Sequence, residues 1–141
     1  MPKHHFAKFF STEEANELIP QLDNLMRRMQ MQAHSLRSRV TELAASEPDI
    51  LRMELQEIVE RHPELRSFTA KLAGLAGEIK AMGCILKDIE QGLIDFPFDA
   101  GDEVVLLCWQ FGEPEIIAWH TVESGFSGRQ PLPGVPKQYL N

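Results

Sequence analysis

Cysteine is scarce in this chain: Cys84 and Cys108 are the only two in 141 residues, and they form no CxxC pair. That excludes a disulfide framework and any zinc-finger site readable from spacing. No stretch approaches the roughly 18 apolar residues of a membrane span. The opening Met1-Pro2-Lys3-His4-His5-Phe6-Ala7-Lys8 lacks the apolar run of a signal peptide, so the expected compartment is the cytoplasm. Positive charge is also short, with 14 Lys and Arg against 21 Asp and Glu and a formal net charge of −7. An acidic chain repels nucleic-acid backbones and anionic lipid surfaces, so neither is an expected partner. Walker and dinucleotide-binding motifs are absent.

What remains is an ordinary globular composition, 43% hydrophobic and 25% charged, at a length typical of one domain. Ser11-Thr12-Glu13-Glu14 has the form of a capping box. Apolar residues then recur in steps of three and four from Ala15 through Leu43, which predicts a helix to about residue 46 with a kink at Pro20. Ser46-Glu47-Pro48-Asp49 reads as a turn. A second helix carries Leu51, Leu55 and Ile58, then a heptad seam of Leu65, Phe68, Leu72, Leu75, Ile79 and Met82. It either kinks or breaks at His62-Pro63, and Gly83 closes it as a left-handed cap. So short a turn makes the two helices antiparallel, and Arg37 and Arg39 then face Glu54, Glu57 and Glu60.

After Gly83 the pattern changes to strands. Gln91-Gly92 is read as a two-residue hairpin turn. That register sets Asp88 opposite Asp95 and gathers Ile85, Ile89, Ile94, Phe96 and Phe98 on one face. Strands over 103–111 and 115–121 complete a four-stranded meander. The third strand is apolar on both faces, so it requires a cover on each side. Helices supply one, and the tail with Phe126, Leu132, Val135, Tyr139 and Leu140, or a second subunit, supplies the other. The expected fold is α+β: a helical hairpin over 12–83, an antiparallel sheet over 84–121, and an extended tail over 122–141 packing on the sheet.

Three polar features carry the candidate chemistry. Asp88 and Asp95, facing each other with Glu90 nearby, repel unless solvated or bridged by a hard divalent cation such as Mg²⁺ or Ca²⁺. Strand parity puts His120 on the Trp109, Ile116 and Ala118 face, either as a ligand or general base that Glu123 orients, or as a core histidine bonded to a backbone carbonyl. Arg129 follows Gly125-Phe126-Ser127-Gly128 and has two readings, an anion-binding nest with a guanidinium fork, or an ion pair with an internal acid such as Glu123 or Glu113.

Lys87-Asp88 through Gly92-Leu93-Ile94-Asp95-Phe96-Pro97, Leu107-Cys108-Trp109, Gly112-Glu113-Pro114-Glu115-Ile116, Trp119-His120 and Gly125-Phe126-Ser127-Gly128-Arg129-Gln130-Pro131-Leu132 resemble a small bacterial domain-of-unknown-function family. The opening Lys8-Phe9-Phe10-Ser11-Thr12-Glu13-Glu14-Ala15-Asn16 resembles that family's N-terminal helix start. The resemblance covers most of the chain and implies no particular activity.

Two functional expectations follow. The first is a non-enzymatic interaction or scaffold protein that forms a homodimer through its helices, because Ile19, Met26, Ala33 and Ala44 widen the apolar stripe of the first helix beyond one seam. The second is a small metal-assisted or acid–base enzyme with His120, Glu123 and Arg129, beside Asp88 and Asp95, around one pocket on the sheet. Convergence of those groups within about 5 Å favours the enzyme; scattering favours the scaffold.

Overall fold

The structure is a computed structural model and describes residues 5–134. Val135, Tyr139 and Leu140, expected to help cover the sheet, lie outside the described residues. The order is helices first and sheet second, an α+β arrangement.

Helix α1 runs unbroken over Thr12–Ser46. Its start is the expected capping box: the Glu14 amide donates to Ser11 Oγ at 3.1 Å and the Ser11 amide donates to Glu14 Oε1 at 2.9 Å. Pro20 lies inside the helix without ending it. Its missing N–H costs one ladder bond, but Ala15, Ile19, Leu22 and Leu25 bury the helix on both sides of it. The return arm is more broken than the periodicity suggests. A 3-10 turn over Pro48–Arg52, a short α2 over Leu55–Arg61 and a second 3-10 turn over Pro63–Leu65 precede α3, Arg66–Ala81. His62 has left helical geometry, as the residue before a proline tends to. Leu51 and Leu55 are exposed and take no part in a seam.

Two clusters show that α3 runs antiparallel to α1. Leu36 meets Ile50, Ile58 and Leu65 near the turn, while Leu22, Leu25, Met26 and Met29 meet Leu75 and Ile79 at the far end. Gly83 closes α3 at φ +89°, and a Cβ there would come within 2.9 Å of the Lys8 side chain. Arg37 pairs with Glu90 and Arg39 with Glu42, not with the acids of the return arm. The return arm there is a short α2 between two 3-10 turns, so Glu54, Glu57 and Glu60 do not lie along one continuous helix.

The sheet has five antiparallel strands, where four were expected: β1 Ile85–Asp88, β2 Leu93–Asp99, β3 Val104–Gln110, β4 Ala118–Thr121 and β5 Gln130–Pro131, in that spatial order. The fifth is the tail turning back along β4, with Ala118 opposite Pro131 and the Leu132 amide donating to the Ile117 carbonyl at 2.9 Å.

The first hairpin does not have the expected register. Ile85 faces Asp95, Leu86 faces Ile94, and after an irregularity Asp88 faces Leu93. The cause is local. The Asp88 carboxylate accepts the Gln91 amide at 2.9 Å and the Gly92 amide bonds back to the Ile89 carbonyl. The turn therefore spans 89–92, and α1 holds it from outside as Gln30 Nε2 donates to the Ile89 carbonyl at 3.0 Å. Such side-chain bonding to the backbone competes with the ladder.

One sheet face, with Leu86, Ile94, Phe96, Leu107, Trp109 and Trp119, packs on Ala15, Ile19, Leu22, Met26 and Met29 of α1. Of the residues that widen the α1 stripe, Ile19 and Met26 are thus covered within the chain, and Ala44 packs on the cluster near the turn. The opposite face, called the outer face here, carries Leu93, Asp95, Leu106, Cys108, Ala118 and His120, all buried.

Candidate functional site

The strand pairing brings three polar side chains together on the outer face. Asp95 sits opposite Cys108 across β2 and β3, and Cys108 sits opposite Ala118 across β3 and β4. His120, two residues past Ala118, shares that face because side chains alternate along a strand. This corrects the expected parity: His120 faces Leu106, and Trp109 lies on the helix side.

Asp95 and His120 are 1% and 2% exposed, and Cys108 is fully buried. His120 Nε2 lies 3.0 Å from Asp95 Oδ2, and Nδ1 lies 2.8 Å from the carbonyl oxygen of Thr121. A carbonyl only accepts, so Nδ1 must carry a proton. A neutral ring would then direct a bare Nε2 at a carboxylate oxygen, with an acceptor on either side. The short contact therefore requires one further proton between Nε2 and Oδ2. Burial alone would push the His120 pKa down, but the hydrogen bonds to Asp95 and Thr121, and the Asp95 charge, outweigh it. The result lies above the ordinary histidine value, against an opposing push from Lys87. The Cys108 thiol is pushed up to about 12, first by burial and then by the Asp95 charge. Cys84, buried elsewhere, is also pushed up to about 12, by burial.

Beside these groups lies a cavity of about 100 Å³, lined by Lys87, Leu93, Asp95, His120, Gly125 and Phe126. Its wall comes partly from the 3-10 turn Phe126–Gly128, which carries the chain from β4 to β5. That turn is tight: a Cβ at Gly128 would meet the Ser124 side chain at 2.5 Å.

Arg129 takes the second of its two readings. Its Nη2 donates to Glu113 Oε1 at 3.0 Å and to Oε2 at 2.9 Å, and its guanidinium stacks on Phe126 at 4.9 Å. Glu113 Oε1 also accepts the Gln110 amide at 2.8 Å. Cys108 feels the charges of Asp95, Arg129 and Glu113, so the two polar pairs both act on its position.

Of the expected site residues, His120 and Asp95 are brought together. Asp88 is not: it caps its own turn, so the Asp88–Asp95 pair offered for Mg²⁺ or Ca²⁺ does not form. Glu123 stays exposed, and Glu113 takes the place offered to it beside Arg129. Cys108 was missed. In an apolar strand a thiol reads as a small hydrophobe; its signal was sharing strand parity with Asp95 and His120 once the register is known.

The chain belongs to the family described as "Uncharacterized conserved protein (DUF2203)", whose model matches residues 8–132. That match agrees with the resemblance read from the tail motifs. No curated protein and no solved structure matches the chain.

Proposed function

We propose that this protein is a small metal-assisted or acid–base enzyme whose working site is the outer sheet face around Asp95 and His120. The observation that supports it is the buried carboxylate–imidazole pair at 3.0 Å bordering a cavity. A buried ion pair is weak evidence for stability, since apolar replacements often do as well. A polar pair kept inside an otherwise apolar face, next to a space for a small molecule, therefore fits a site better than a strut. The cytoplasm is the proposed compartment, because the free, buried Cys84 and Cys108 suit a reducing environment.

An NMR screen of small polar compounds tests this reading. Binders are expected to shift the amide signals of Gly125 and Phe126, and Asp95→Asn is expected to abolish those shifts. A screen that finds no binder at this face, or binders indifferent to Asp95→Asn, contradicts it.

Self-association through the helices is a second reading, favoured by a groove of about 270 Å³ between α1 and α3. Met31 lines that groove and is 63% exposed, beside Gly74, which leaves open space. Light scattering should then give twice the 16.0 kDa chain mass, and Met31→Glu should return it to the monomer value.

A further inference from the structure

The three outer-face side chains differ in chemistry, and the combination is more specific than an acidic cluster. A ligating atom from each of Asp95, Cys108 and His120 lies within 4.8 Å of the others, and all three residues are buried. Carboxylate oxygen, thiolate sulfur and imidazole nitrogen are the three donor types that zinc takes from proteins. Bond lengths of about 2.0–2.3 Å put tetrahedral ligands roughly 3–4 Å apart. The His120–Asp95 separation of 3.0 Å is already close to that, and Cys108 Sγ lies within 4.8 Å of both partners. The ring is also held as metal-bound histidines usually are, with Nδ1–H donated to the Thr121 carbonyl so that Nε2 is the ligating atom.

We propose that Asp95, Cys108 and His120 bind a divalent transition-metal ion of the zinc type, with the fourth position open to the cavity beside Lys87. The proposal rests on the reading of the outer face as the working site. A hard ion such as Mg²⁺ or Ca²⁺ does not suit a thiolate and an imidazole. Three protein ligands with an open fourth position is the arrangement of catalytic zinc sites, while structural sites close all four.

Charge accounting favours the exchange. Before binding, the thiol is neutral and the Asp95–His120 pair, holding one shared proton, is neutral overall. The metal displaces the thiol proton and the shared proton, and both go to solvent. Two negative ligands then balance the divalent ion, and His120, having given up the shared proton, is neutral with its remaining proton on Nδ1. The buried net charge is zero before and after, so binding adds no uncompensated charge to a low-dielectric interior. A coordinated thiol is deprotonated outright despite its high starting pKa. Lys87 lines the same cavity and brings a positive charge to its wall, which would favour a small anion there.

The test is a Co²⁺ titration of the full-length protein, followed by absorption and by a pH indicator, with Zn²⁺ added afterwards. One Co²⁺ should bind per chain, with a thiolate-to-cobalt charge-transfer band and release of two protons, and Zn²⁺ should displace it. Cys108→Ser should lose the band, release one proton and weaken binding by more than about tenfold, the least that even an outer-shell partner costs. His120→Gln should weaken binding to a similar degree, and Cys84→Ala should change nothing. Thermal melts of each variant establish that it is folded. If a variant does not fold, the proton count and band of the unaltered protein still decide. Absence of binding by the unaltered protein overturns the proposal, as does a band that survives Cys108→Ser or binding indifferent to His120→Gln. If metal binding fails while small compounds still shift Gly125 and Phe126 in an Asp95-dependent way, only this inference falls. If both fail, the enzyme reading falls with it.

Discussion

Arg129 meets Glu113 through a single nitrogen, Nη2, which lies 3.0 and 2.9 Å from the two carboxylate oxygens. Its Nε and Nη1 are buried and have no hydrogen-bond partner among the described residues. The guanidinium thus anchors the β4–β5 crossing to the turn after β3, with two of its three nitrogens left without a protein partner among the described residues.

Arg129→Ala strands a largely buried carboxylate, and the loss is expected to be about 3 kcal/mol, the low end for a broken buried pair. Arg129→Lys keeps the charge and loses the Phe126 stacking, so it should cost less. Urea melts of both variants check this, and equal stability of Arg129→Ala and the parent contradicts the anchoring role.

In metal-free protein the raised His120 pKa sets a pH dependence. A base whose folded pKa exceeds its unfolded value binds more protons when folded. Its stabilisation is fully present below the unfolded value, near 6.5, and is lost as pH rises through the folded value. The melting temperature in chelator should therefore fall more steeply than that of His120→Gln as pH rises above about 6.5. Parallel curves contradict the assignment.

Two glycines separate backbone strain from crowding. Gly92 has φ +69° and a Cβ there would sit 2.5 Å from Phe111 Cβ, whereas Gly101 has φ +94° in open space. Gly101→Ala should cost about 1 kcal/mol of conformational strain. Gly92→Ala should cost clearly more, since the strand end must also move. Denaturant midpoints give the ranking, and the reverse order contradicts the geometry.

Met26 and Met29 are fully buried between α1, α3 and the sheet, so a glutamate at either position should unfold the protein rather than split a dimer. Met31→Glu should leave the melting temperature within a few degrees of the parent's. Circular dichroism during heating distinguishes these outcomes, and a well-folded Met26→Glu chain contradicts the packing.

Local signals in the sequence carried furthest. The capping box at Ser11 and Glu14, the left-handed Gly83 and the helix-to-strand change after it each depend on neighbours within a few residues, and each is present. Signals that depend on pairing across the chain failed where a side chain intervened. Asp88 bonding to the Gln91 amide lengthened the first turn and removed the carboxylate pair. The face of His120 depended on the β3–β4 register, which the intervening residues 111–117 leave open in sequence terms. The apolar excess of α1 was legible, but its cover was not: Ile19 and Met26 pack on the sheet. The partner of Arg129 was narrowed to two acids, and only the turn that folds Glu113 toward Gln110 and Arg129 decides between them.

The chemistry of the outer face depends on the proton between His120 and Asp95. A long-range proton–nitrogen correlation spectrum of the metal-free protein at pH 7, with His120→Gln for assignment, observes both ring nitrogens directly. The expected spectrum is that of an imidazolium with protons on Nδ1 and Nε2. A neutral ring with its only proton on Nε2 and a bare Nδ1 would contradict it.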